Sequence, residues 1–255
     1  MIKKYLSSVC LYALILLVSC ETENKQVFTI AAASNLQFVI EELVEEFSKQ
    51  TGTECEIVLS SSGKLTAQIM EGAPFDLFLS ADMKYPTELF KEGYTLSEPY
   101  TYAYGNLVLW TVKENLVLDL ELLESEDLDF VALGNPKTAP YGVAAMKVIN
   151  GLGLQDQLRE RLVYGESIGQ TNQFIISGAA DLGFTSKSVV LSDKMKDTGT
   201  WIEIDQSLYD PISQGMVLLK VRGQFREHAI KFKDFLLSDE GKVILHKFGY
   251  HTELK

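Results

Sequence analysis

The feature that most narrows the fold is a unit that recurs along the chain. It is a short apolar run, then a small polar turn, then a stretch with apolar residues at helical spacing. Residues 27–33 read as a strand and Ser34-Asn35 as a turn. Leu36, Val39, Ile40, Leu43, Val44 and Phe47 then share one helical face, which Gly52 closes. The unit repeats as a strand over 56–59, a turn over 60–63, a helix over 64–70 and a strand over 75–79. Further strands are expected over 106–112, 130–133, 161–164 and 182–185. Helices are expected over 143–150 and from about 171 to near Gly178. A last helical stretch over 224–248 carries Phe225, Ala229, Phe232 and Phe235 at helical spacing. Strands that alternate with helices bury their apolar faces best as mostly parallel sheets covered by helices, an α/β class. A chain of 255 residues has room for two such lobes. A ligand site in sheets of this kind lies outside the carboxyl ends of the strands, where the small turns sit.

The first twenty residues do not belong to this pattern. Lys3 and Lys4 precede an unbroken apolar run from Val9 to Val18. That run suits a signal-peptide core and is too short to span a bilayer. It ends Leu17-Val18-Ser19-Cys20, with a small residue before a cysteine, which resembles a bacterial lipobox. The expected division is a signal peptide over 1–19 and a lipidated tether over 20–26, with acyl chains on Cys20 holding the protein at a membrane. Cys10 would leave with the signal, so Cys55 would stand alone with no disulfide partner.

The net charge is −12, and removal of residues 1–19, with Lys3 and Lys4, would leave −14. No basic stripe offers itself to nucleic acid, so that partner is excluded. An anionic ligand must therefore be held by local donors against the overall field. The recurring turns supply such donors. A helix start has unpaired N–H groups and a partial positive charge, which suits an anion. Ser34, Ser61 and Ser62 add hydroxyls, and Pro140 is well placed to open a helix at Tyr141-Gly142. Each serine could equally be a helix cap with no ligand, and spacing alone does not name the anion.

Several segments together resemble the periplasmic molybdate-binding protein family. They are Ala31-Ala32-Ala33-Ser34, Ser61-Ser62-Gly63, and the run from Gly72-Ala73-Pro74 through Asp76-Leu77-Phe78 to Ser80-Ala81-Asp82. Gly105 to Trp110, Asn135-Pro136, Ala139 to Gly142, Gly165-Glu166 with Gln170-Thr171, Leu182-Gly183-Phe184 and Phe248-Gly249-Tyr250 follow in order. The likeness covers about 27–250. It implies a two-lobed periplasmic-binding-protein fold closing on a tetrahedral oxyanion. Lobe 1 would comprise 27–103 and 210–255, and lobe 2 would comprise 104–209. It also implies a monomer without cofactor that captures molybdate or tungstate and delivers it to an ABC transporter permease from the periplasm or cell surface. Carried over, the contacts are Ser34 and Ser62 from one lobe, the N–H groups of Tyr141 and Ile168 from the other, and a donor near Ser186. The chain departs from the family's pattern at Asn35, at Ser167-Ile168, and at Ser186, where some members carry a tyrosine.

Two other readings compete. Gly165-Glu166-Ser167-Ile168-Gly169 fits a nucleophile elbow, which would make the chain a serine hydrolase with Asp181 or Asp205 and one of His228, His246 and His251. No His-Gly-Gly-Gly-type oxyanion segment lies upstream, so a binding protein rather than an enzyme is expected. A sulfate binder of the same architecture would use the same neutral donors. The lipobox makes a direct prediction. Intact-mass analysis of the membrane fraction should show a chain that starts at an acylated Cys20, and an unmodified N-terminus elsewhere would refute it.

Overall fold

The computed structural model describes residues 27–220 and 223–253. The expected signal peptide, Cys20 and the tether lie outside the described residues. Two five-stranded sheets organise the rest. The first holds β1 (Phe28–Ala33), β2 (Cys55–Ser60), β3 (Leu77–Ser80), β4 (Tyr100–Gly105) and β10 (Ile212–Leu218). Its order is β2-β1-β3-β10-β4. The second holds β5 (Leu107–Thr111), β6 (Val131–Gly134), β7 (Leu162–Gly165), β8 (Leu182–Ser186) and β9 (Thr200–Glu203). Its order is β7-β6-β8-β5-β9. Each sheet has a parallel trio, β2-β1-β3 or β7-β6-β8, followed by one antiparallel strand, β10 or β5.

The helices are α1 (Val39–Thr51), α2 (Ser62–Met70), α3 (Lys84–Lys91), α4 (Pro140–Gly151), α5 (Gln155–Leu158), α6 (Ile168–Ile176), α7 (Lys187–Val190), α8 (Arg226–Leu237) and α9 (Asp239–Lys247). Side chains alternate across a strand, so β1 feeds two cores. Ile30 and Ala32 share one core with Ile40 and Leu43 of α1 and with α8. At its centre the rings of Phe47 and Phe232 meet, with centroids 5.0 Å apart. Ala31 packs on the opposite face with Leu65, Ile69 and Leu89 of α2 and α3. The second sheet is buried around Trp110, Leu133, Val148 and Phe184. The chain passes from the first sheet to the second between β4 and β5 and returns between β9 and β10.

Several expectations shift. Ser62 and Gly63 belong to α2 and not to the preceding turn, because Ser61 caps the helix by accepting the N–H of Lys64. The last helical stretch is two helices. Ser238 is extended between them, and its hydroxyl caps the second by accepting the N–H of Gly241. β4, β9 and β10 carry no clear signal in the sequence. β10 contains Ser213, Gln214 and Gly215, and its register with β4 shifts between the last two.

A buried carboxylate fixes the start of β8. Asp181 accepts the N–H groups of Asp129 and Phe130, each at 2.7 Å, and pairs with Lys113. Burial works against its charged form, but the Lys113 ammonium and those two N–H groups outweigh it and hold the carboxyl below its usual value. A depressed pKa stabilises the fold above the unfolded value, about 3.9, and loses that contribution as pH falls through the folded value. Asp181→Asn should therefore unfold at lower temperature than wild type at pH 7. The gap should narrow below about pH 4, as followed by circular dichroism.

Candidate binding site

The turns that follow β1, β2, β6 and β7 meet across the gap between the lobes. They line a narrow pocket of about 10 Å³. Ser34, Asn35, Ser61, Ser62 and Ala81 line it from the first lobe, and Pro140, Tyr141 and Ile168 from the second. A larger groove of about 530 Å³ lies between α1 and α9, but Glu41, Glu42, Glu45, Glu46 and Glu240 line it and would repel an anion.

Each wall residue owes its place to local structure. Ser34 opens a short 3-10 turn, Ser34–Leu36, directly after β1. It is buried, and its hydroxyl makes no hydrogen bond to another described residue. Ser62 is fully buried as the first residue of α2. Its Oγ accepts the N–H of Ala81 at 3.0 Å, which leaves its own O–H free to donate. Tyr141 follows Pro140 in the first turn of α4, and Ile168 begins α6 after the cap Ser167. The N–H groups of Ser62, Tyr141 and Ile168 have no acceptor among the described residues, as expected of helix starts. The starts of α2, α4 and α6 therefore converge on the cavity and bring free donors with their positive ends.

The structure brings Ser34, Ser62, Tyr141 and Ile168 together and sets Ser186 apart. The Ser186 hydroxyl donates to Tyr141 Oη at 3.0 Å and pairs with Ser188 Oγ at 2.8 Å, so it stands behind the cavity wall. Burial pushes the hydroxyls of Tyr141, Tyr102 and Tyr250 up, so they remain protonated donors at neutral pH.

Sequence reasoning missed the layer beneath the serines. Gln214 Nε2 donates to the carbonyls of Ala81 and Ile212, which turns its Oε1 toward Asn35. Asn35 Nδ2 then donates to Gln214 Oε1 at 2.9 Å and to Tyr250 Oη at 2.8 Å. Its Oδ1 is left buried without a partner. Across the gap, Ser188 Oγ donates to Asn35 O at 2.6 Å and accepts from Tyr250 Oη at 3.2 Å. β10, with Ser213, Gln214 and Gly215 together, carries no local signal for this role.

The charged groups stay outside. Glu166 is exposed and pairs with Lys64 of the opposite lobe, away from the cavity. Ser167 Oγ accepts the N–H of Gln170 at 3.4 Å. The histidines lie elsewhere. His228 packs against Phe28 and Phe225, His246 contacts Thr252, and His251 contacts Asn106. Among the described residues no His/Cys/Asp/Glu cluster could hold a metal ion. Likewise, no helix is long and apolar enough to cross a membrane.

Comparison with known proteins identifies the family and the fold. The family model for bacterial extracellular solute-binding proteins matches residues 28–251. A Rhodobacter capsulatus molybdate-binding protein is 39% identical over 224 residues, covering 88% of this chain and 87% of the relative. The solved Azotobacter vinelandii periplasmic molybdate-binding protein superposes with a TM-score of 0.85 at 35% identity, covering 89% of this chain and all (100%) of that one. A Bacillus subtilis protein described as a putative ABC transporter substrate-binding lipoprotein is 28% identical, covering 99% of this chain and 100% of the relative.

The cap role of Ser167 has a measurable consequence. Ser167→Ala should lower stability by about 0.5–2 kcal/mol in thermal or urea unfolding. It should abolish no turnover of ester or amide substrates, and turnover that disappears with this hydroxyl would restore the elbow reading.

Proposed function

The chain belongs to the bacterial extracellular solute-binding proteins, and from that membership we propose that it captures molybdate or tungstate and hands it to an ABC transporter permease. The observation that carries this reading is the convergence of free helix-start donors and two serine hydroxyls on one small pocket between the lobes with no cation in its wall. The names of the relatives at 39% and 35% identity point to the same ligand. We assign the contacts to the hydroxyls and N–H groups of Ser34 and Ser62 and to the N–H groups of Tyr141 and Ile168. Ser186 supports Tyr141 from behind. Lobe 1 is taken as 27–103 with 210–255, and lobe 2 as 104–209. Cys20 carries the lipid, and the protein works as a monomer on the outer side of the membrane.

The physics suits a bare tetrahedral dianion. Hydrogen bonds to a charged group contribute about 1.5–3 kcal/mol each, so several offset dehydration together. A buried lysine or arginine would bring its own desolvation cost, which neutral donors avoid. The same donors tolerate a net charge of −12, because carboxylates beyond a Debye length are screened. Hydrogen phosphate carries a proton that needs a well-placed acceptor, and Glu166, the acid nearest the proposed contacts in sequence, is paired with Lys64 outside the cavity. Sulfate presents the same bare oxygens in a smaller body, so the donor set alone does not separate it from molybdate, and the preference is decided by titration.

Titration calorimetry on the lipid-free protein tests the assignment. One molybdate or tungstate should bind per chain, far more tightly than sulfate, with phosphate weakest. Ser34→Ala and Ser62→Ala should each weaken binding roughly ten- to a hundredfold with the fold intact. Ile168→Ala should change it much less, since its donor is backbone. Serine variants that bind like wild type would remove the site. Wild type that prefers sulfate or phosphate would remove the ligand.

A further inference from the structure

Gly63 is the second residue of α2, where a helix leaves its N–H without an internal acceptor. That N–H donates at 2.9 Å to the carbonyl of Thr138, in the opposite lobe. The neighbouring carbonyl, of Lys137, accepts from Tyr85 Oη on α3 at 3.0 Å. Two adjacent carbonyls of the loop between β6 and α4 are thus held by donors of the first lobe. The same loop leads into Tyr141, and the same helix carries Ser62. The pair of bonds therefore ties together the two segments that face the cavity.

The approach leaves no room for a side chain. A β-carbon at position 63 would lie 2.7 Å from Tyr85 Oη and 3.0 Å from Thr138 Cα. Tyr85 Oη cannot give way without losing its bond to Lys137. No dihedral requirement explains the glycine, since the residue is helical and absent from the positive-φ glycines. Within a helix alanine is the better former, so glycine is here a local disadvantage. The close passage of the other lobe accounts for it. With the lobes apart, Thr138 would be gone, and the Tyr85 hydroxyl, no longer held by Lys137, could swing away from a methyl group at 63.

We propose that Gly63 and Tyr85 form a closure clasp: they position the lobes around the ligand without touching it, and affinity depends on them through closure. The proposal rests on the anion-capture reading and is separable from it by experiment. Molybdate and tungstate titrations, small-angle scattering and ligand-free melting are measured for wild type, Gly63→Ala, Tyr85→Phe and Gly151→Ala. Gly151 ends α4 with nothing within 4 Å of a built β-carbon and serves as the control. Gly63→Ala should melt, without ligand, at or above the wild-type temperature. It should bind tenfold or more weakly, and at concentrations that saturate wild type it should fail to contract as wild type does. Tyr85→Phe should bind about two- to tenfold more weakly, the range for one neutral hydrogen bond. Gly151→Ala should bind as wild type. The clasp is overturned if Gly63→Ala binds and contracts like wild type, or if its ligand-free form melts lower, which would make the glycine a plain packing residue. Wild type that binds neither anion sinks the ligand reading, and the clasp with it.

Discussion

Unpaired backbone N–H groups at helix starts are the constraint on which the arrangement turns. An α-helix leaves its first donors without acceptors, and burying such groups unsatisfied costs free energy. In this protein the starts of α2, α4 and α6 are all buried at one place, between two lobes. The fold therefore stores a set of unmet donors that an acceptor-rich ligand can satisfy. Lobe closure and anion capture follow from the same deficit, because the donors of one lobe alone would not surround a tetrahedron.

That constraint reconciles an acidic protein with an anionic ligand. Most carboxylates other than Asp76 and Asp181 lie on the outside, many paired with lysines, as with Glu166 and Lys64 or Glu41 and Lys194. The cavity wall is made of serines, alanines, a proline, an amide and two helix-start residues, with no formal charge. The layer beneath it is equally neutral. Gln214 orients Asn35, Asn35 and Tyr250 meet Ser188, and Ser186 holds Tyr141. The bonds of Ser188 to Asn35 and Tyr250 link the lobes behind the cavity, while Gly63 and Tyr85 link them beside it. Closure is thus spread over many weak bonds, each near the scale of thermal reversal, which suits a protein that must release what it binds.

Much of this was legible in the sequence, for identifiable reasons. The unbroken apolar run of β1 and the 3.6-residue period of α1 are written in their residues, and Gly52 ends α1 in a left-handed conformation, φ 69°. Ser34 and Ser62 stand out because each sits in a small turn after a strand, and Tyr141 because Pro140 opens a helix before it; Ile168 is named only by what the family resemblance implies. Other elements had no local signature. β10 interrupts its apolar pattern with Gln214 and Gly215, and β4 is only partly buried. The break at Ser238 hid inside a continuous apolar period.

The division has a physical basis. The sequence by itself determined what depends on neighbours a few residues away: element type, caps, the small neutral turns and the acidic surface. Only the tertiary structure decided what depends on residues brought together from far along the chain. It put Ser186 behind Tyr141, turned the Asn35 amide by way of Gln214, and set Gly63 against Thr138. Those pairings have no sequence period, because sheet order and lobe closure, not local spacing, bring their partners within reach.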